Sequence, residues 1–74
     1  MTSIKVRLGK AIRRLRAVAG YSQEKFAAEA EINRGYMGEI ERGEVNLSIE
    51  NIEKIADALD MTVGELMTEV DKEA

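Results

Sequence analysis

The side chains best placed for chemistry in this chain are arginines and amides, gathered in one run, SQEKFAAEAEINRGYMGEIERG, at residues 22–43. Its spacing reads as two short helices joined by a break of about three residues. The second helix is too polar to be a core helix. Met37 and Ile40 give it a narrow apolar stripe, and its other faces carry Arg34, Gly35, Gly38, Glu39 and Arg42. A helix that is short, polar and well capped suits insertion into the major groove of DNA, where its first side chains meet base edges.

Other chemistries have little to stand on. The chain has no histidine and no cysteine, which removes the usual nucleophile–base pairs, a disulfide framework and a zinc site together. No glycine-rich phosphate loop precedes a helix, and the carboxylates are spread along helical surfaces as solvated charge. The expectation is a protein that is not an enzyme and needs no cofactor or metal.

The net charge of −3 argues against a nucleic-acid partner, but its distribution argues for one. Residues 1–20 hold six bases (Lys5, Arg7, Lys10, Arg13, Arg14 and Arg16) and no acid, whereas residues 44–74 hold nine acids and two bases. Such a chain can turn a basic face to phosphate while its acidic end faces away. A merely solvated basic helix would look the same, so charge alone leaves the two readings level.

Seventy-four residues make one domain, and a chain this short buries only about 60% of its unfolded surface. Without a disulfide or a metal, oligomerisation is the remaining support for so small a core. No apolar run approaches the roughly 18 residues of a membrane span, and no signal-peptide core opens the chain. A cytoplasmic protein with no membrane partner is expected, and with no second domain there is no evident place for a small-molecule effector.

Proline is absent, and Ala, Leu, Ile, Glu, Lys and Arg dominate, a composition that favours helix. Periodicity and punctuation predict five. The first covers about residues 4–19, with Leu8, Ala11, Ile12, Leu15 and Ala19 on one face and Gly20 as its stop. Ser22 caps a helix from Gln23 to Ala30, and Asn33 caps one from Arg34 to Arg42 that Gly43 ends. Ser48 caps a fourth, on which Ile49, Ile52, Ile55, Ala56 and Leu59 form the strongest amphipathic pattern in the chain. Thr62, completing a capping box with Glu65, starts a fifth that runs to about Val70, and a charged, frayed tail is expected after Asp71.

The run LGKAIRRLRAVAGYSQEKFAAEA, followed by IERG and LSIENIEKIADAL, resembles the Cro- and repressor-type (XRE) helix-turn-helix family over about residues 8–67. Leu8-Gly9, Arg13 to Arg16, Ser22-Gln23, Phe26-Ala27, Ile40-Glu41-Arg42-Gly43 and Ile55-Ala56 with Leu59 carry the likeness. The stretch GEIERGEVNLSIENIEKIADAL is most similar to the controller proteins of restriction–modification systems. The resemblance implies an all-α, compact five-helix repressor-like fold over 1–74, with the helix-turn-helix at 22–43. It implies a transcriptional regulator that binds double-stranded DNA sequence-specifically, as a homodimer on a pseudo-palindromic operator, and in its narrower form controls a restriction–modification system.

Residue by residue, the resemblance places the amide and backbone N–H of Gln23 on a phosphate, where a helix N-terminus favours an anion in any case. Asn33 stands at the start of the reading helix, and Arg34 is the best base reader, because a guanidinium can take guanine O6 and N7 together. Tyr36, Arg42 and Asn46 match positions that hold the sugar-phosphate backbone. Arg16 and Glu41 match the family's internal ion pair, a structural role rather than a DNA contact.

The chain departs from the family at several points. Glu31 stands where the turn usually has glycine, so either it turns left-handed at about 1 kcal/mol or the turn is altered. Gly35 and Gly38 replace base-reading side chains: close groove approach and weakened base reading both remain open. Glu39 faces the groove, to accept from cytosine N4 or, the favoured account, to pair with Arg42. Tyr21 and the methionines read as packing residues. A protein-interaction module of the same fold, such as an antitoxin-like partner, is the alternative that the two glycines and the acidic half keep open.

One reading helix covers about four base pairs, too few to select a genomic site, hence the dimer. The interface is expected at about 47–70, since Leu47, Met61, Val63, Leu66, Met67 and Val70 cannot all point inward from so short a segment. Leu47, Met67 and Val70 are the expected exposed members.

Overall fold

Five helices follow one another through the computed structural model, which describes residues 2–73: α1 (Ile4–Val18), α2 (Gln23–Glu29), α3 (Arg34–Glu41), α4 (Ile49–Ala58) and α5 (Val63–Asp71). Met1 and Ala74, the ends of the expected 1–74 domain, lie outside the described residues. The fold is all-α, with no strand among the described residues.

Each helix begins on a side-chain oxygen. Ser3, Ser22, Asn33, Ser48 and Thr62 each accept a hydrogen bond from the backbone N–H three residues on, at 3.0–3.3 Å. Each such cap satisfies one of the donors a helix start leaves over and stabilises by about 1 kcal/mol. At α5 the Glu65 carboxylate also accepts from the Thr62 N–H at 2.8 Å, completing the reciprocal box.

The first four helices end alike. After α2, the N–H of Ile32 donates to Ala27 and that of Glu31 to Ala28, the two bonds of a Schellman motif. The same pair of bonds closes α1 at Gly20, α3 at Gly43 and α4 at Asp60. The motif needs a left-handed residue at its pivot, and all four take it, with φ of 86° at Gly20, 56° at Glu31, 74° at Gly43 and 58° at Asp60. Of the two accounts of the turn before α3, the left-handed glutamate is the one observed. Asp60 is a second non-glycine pivot that sequence reading missed.

All five helices contribute to the core. Ile12, Phe26, Met37, Ile40, Ile55, Leu66 and Val70 are fully buried. α1 packs against both α3 and α5, α2 against α3, and α4 against α5. Val70 therefore cannot be an exposed interface member: Leu66 and Val70, one helical turn apart, form the inward edge of α5. Ile49 corrects the reading of α4 in the other direction. Although it belongs to that helix's apolar pattern, it is 68% exposed, and only Ile55 and Ala56 of α4 are buried.

The acidic end does not face away from the basic helix but folds onto it. Arg14 of α1 pairs with Glu69 at 3.0 Å and with Glu73 at 2.8 Å, and Arg7 stands 4.0 Å from Asp71. Lys72 and Glu73 are thus tied down rather than frayed, with Lys72 pairing to Glu69 at 2.8 Å. Opposite charges far apart in sequence attract once packing brings α5 against α1, which no local signal announces.

Candidate nucleic-acid interface

The position of α3 is set by its C-terminal end. Glu41 accepts two hydrogen bonds from the Arg16 guanidinium, at 2.8 and 2.9 Å, and one from the Gln23 amide at 3.1 Å. Arg16 also donates to the Tyr21 carbonyl at 3.0 Å. One carboxylate thereby joins α1, the start of α2 and the end of α3, and the hydrogen bonds from Arg16 to Glu41 hold that guanidinium's pKa above its ordinary value. Tyr21 packs its ring on Phe26, with centroids 5.6 Å apart, and is a packing residue.

With its inner face committed to the core through Met37 and Ile40, α3 leaves its first turn in solvent. Asn33, Arg34 and Gly35 are exposed, and Tyr36 is half-buried against the core. The Asn33 side-chain oxygen is used in capping, by the N–H of Tyr36 at 3.1 Å. Gln23 likewise spends its amide nitrogen on Glu41. Arg34 reaches back to Glu24 of α2 at 3.5 Å, and both side chains are 71% exposed.

The two glycines of α3 differ. Gly35 is exposed, and a β-carbon there would meet only the Asn33 cap oxygen, at 3.2 Å. Gly38 is buried beneath side chains of its own protein: a β-carbon would stand 3.1 Å from an Arg42 nitrogen and 3.6 Å from the Gln23 oxygen.

Arg42 does not pair with Glu39, as favoured from the sequence. It donates to Glu44, in the loop after α3, at 2.8 and 3.2 Å. Those bonds raise the pKa of the arginine and lower that of the glutamate, with Glu39 only a minor charge nearby. The reversal of chain direction at Gly43 brings Glu44 back over the helix end. Asn46 lies further along that loop, lining an apolar hollow with Ile4, Lys5, Leu8, Val45, Leu47, Ile52 and Met67. It is thus placed beside Leu47 and Met67. Glu24 and Glu44 are the members of this surface that sequence reasoning missed; for Glu44, its two-residue spacing from Arg42 was the only signal.

Two capped helices, a left-handed turn and an exposed arginine on the first turn of the second make a helix-turn-helix unit. The helix-turn-helix family pattern matches residues 12–66. The chain belongs to the helix-turn-helix family. Within that family it is of the XRE type and is a DNA-binding transcription regulator close to the restriction–modification controller proteins.

Control protein C.MunI of Mycoplasma sp is 40% identical over 74 residues, 99% of this chain and 100% of that one. The restriction-modification controller protein C.AhdI from Aeromonas hydrophila is 44% identical, with a TM-score of 0.79 over 82% of this chain and 92% of that one. C.Esp1396I bound to a 19 base pair DNA duplex has a TM-score of 0.86 at 25% identity, covering 96% of this chain and 95% of that one. Among the described residues of this helix-turn-helix protein, no helix is long and apolar enough to cross a membrane.

Proposed function

We propose that this regulator acts in the cytoplasm as a homodimer on a pseudo-palindromic DNA site, and that the genes it controls are those of a restriction–modification system. The observation that carries the reading is Arg34, held out into solvent on the first turn of a helix whose other side is locked into the core. There its guanidinium reads a guanine edge, with Gly35 and Glu39 beside the bases. Gly38, covered by the Arg42 and Gln23 side chains, is left out of that group in this reading. Tyr36, Arg42 and the free amide nitrogen of Asn33 hold phosphates. Because Glu41 occupies the Gln23 amide, the phosphate contact of Gln23 falls to its backbone N–H at the start of α2.

The apolar surface around the hollow supports the dimer. Along it Leu47 and Met67 are half-buried and Ile4 is 47% exposed, while Ile49, at the start of α4, is 68% exposed and that helix packs chiefly against α5. A twofold pairing there covers side chains that a monomer leaves wet. Asn46 sits on that rim and serves the interface more readily than a phosphate.

Sedimentation, together with selection of duplexes from a random pool, tests the whole reading. The wild type should sediment as a dimer at tens of micromolar and select two inverted half-sites about one helical turn apart. Replacing Ile49 and Met67 with Lys should give a folded monomer that binds those duplexes far more weakly. A monomeric wild type that binds one half-site as tightly as two would overturn the dimer. No affinity for any duplex at low salt would leave a protein-interaction module in its place. A restriction endonuclease and a methyltransferase encoded alongside would support the narrower assignment.

A further inference from the structure

A DNA-reading motif that carries net negative charge needs an explanation, and residues 21–43 hold five acids against three bases. The two arginines at the ends of the reading helix are not bare. Arg34 stands 3.5 Å from Glu24, and Arg42 makes two hydrogen bonds to Glu44. All four side chains are at least half exposed.

We propose that Glu24 and Glu44 set the affinity of the DNA surface, holding the two interface arginines in exchangeable ion pairs that a duplex must break before it gains either guanidinium. The proposal rests on the DNA-reading function set out above.

The physical ground is a competition between like partners. A carboxylate and a phosphate oxygen both accept from a guanidinium, so moving Arg34 or Arg42 from glutamate to phosphate exchanges one exposed ion pair for another. The released glutamate is then left near a polyanion, which opposes the exchange. A guanine edge offers Arg34 two acceptors in a fixed geometry and so outweighs the pair that is lost. The pair stands in the unbound protein whichever duplex follows, so Glu24 lowers binding to any duplex that takes Arg34, the right one included. Glu44 acts at the phosphate end of the helix, where its two hydrogen bonds make a firmer hold.

The two pairs differ in a way that orders their effects. The pair at Glu24 is an ion pair without a hydrogen bond, between two highly exposed side chains, and is easily exchanged. At Glu44 the contact is two-pronged and spans a two-residue separation, so it re-forms quickly when broken. Removing Glu44 should therefore raise affinity for both duplexes alike, because Arg42 meets a phosphate on either, whereas removing Glu24 should help the selected duplex at least as much as the random one.

The experiment uses the full chain, as wild type, Glu24→Gln and Glu44→Gln. Binding is measured to a random-sequence duplex and to the duplex that wild type selects from a random pool, over a salt series. Each variant should bind the random duplex up to about fivefold more tightly at low salt, with a gain at least as large on the selected duplex. The salt slope on random duplex should steepen by about 0.9 for each arginine released to a phosphate. In Arg34→Ala and Arg42→Ala backgrounds most of the gain should vanish.

Unchanged or weaker binding of the selected duplex in either glutamine variant would overturn the proposal. A gain that persists undiminished without the arginine would also overturn it, since the glutamates would then act by plain repulsion. Wild type that binds neither duplex would instead sink the DNA-reading function itself. Circular dichroism of the variants guards the comparison, because both glutamates are exposed and their loss should leave the fold intact.

Discussion

Gly9 of α1 lies against the end of α3 so closely that a β-carbon on it would stand 2.5 Å from the Ile40 carbonyl oxygen and 2.7 Å from that of Glu41. These oxygens belong to backbone and cannot swing aside. The contact lets α1 approach the reading helix near the Arg16–Glu41 pair, and a methyl group would push the two helices apart. Gly9→Ala should cost about 1–3 kcal/mol, even though alanine is the better helix former. Gly64→Ala is its control: the nearest atom to a β-carbon there is 3.8 Å away, so this change should stabilise by up to about 1 kcal/mol. Urea midpoints decide the matter, and a Gly9→Ala protein as stable as wild type would contradict the close approach.

Breaking the Arg16–Glu41 pair should be costly from either side, and unequally so. The Arg16 side chain keeps 13% of its surface exposed and that of Glu41 only 4%. Arg16→Ala leaves the more buried carboxylate with only the Gln23 amide, and should cost about 3 kcal/mol or somewhat more. Glu41→Ala leaves a guanidinium that still donates to Tyr21, and should cost less. Thermal melts within a degree of wild type for both variants would remove the pair from its structural role.

Stability should fall in acid partly through the contact between α1 and α5. Hydrogen bonds from Lys72 and then Arg14 hold the Glu69 carboxyl below its ordinary pKa of 4.5. The group therefore ionises more readily folded than unfolded, and as pH drops the unfolded chain takes up the proton first. Its stabilising contribution is complete above pH 4.5 and is lost as pH falls below that value through the lowered folded pKa. Urea titrations from pH 6 to about pH 3 should show a shallower decline for Arg14→Gln than for wild type. Parallel curves would mean that the contact does not contribute.

Arg34→Ala and Gln23→Ala should separate base reading from positioning. Loss of the guanidinium should cost about 1–3 kcal/mol on a selected duplex and much less on a random one, relaxing preference at one base pair in each half-site. Gln23→Ala removes a donor to Glu41 and loosens the junction of α2 with α3. It should weaken both duplexes alike and lower folding stability by about 1 kcal/mol. Equal losses on both duplexes for Arg34→Ala would take it out of the base-reading role.

What the amino-acid sequence determined by itself is everything that depends on neighbours within about five residues. Ser22, Asn33, Ser48 and Thr62 start their helices because a short side-chain oxygen reaches an N–H three residues on, whatever the rest of the chain does. Gly20 and Gly43 end theirs because a left-handed pivot is a local matter. Even the polar character of α3 is a property of eight consecutive residues.

Only the tertiary structure decided which of several equivalent partners meet. Periodicity put Leu66, Met67 and Val70 on α5 with too much apolar surface for one core, but it carries no information on where α1 lies. Packing against α1 turned Val70 inward and, through α5, left Ile49 in solvent. The charges behaved likewise. Arg42 had Glu39 one helical turn away, yet it took Glu44, because the chain reverses at Gly43 and brings that carboxylate within hydrogen-bond reach of the guanidinium. Arg14 met Glu73, 59 residues later, for the same reason. Ion pairs and buried stripes are contests among many candidates of nearly equal local energy, and the winner is set by the distances that the fold imposes.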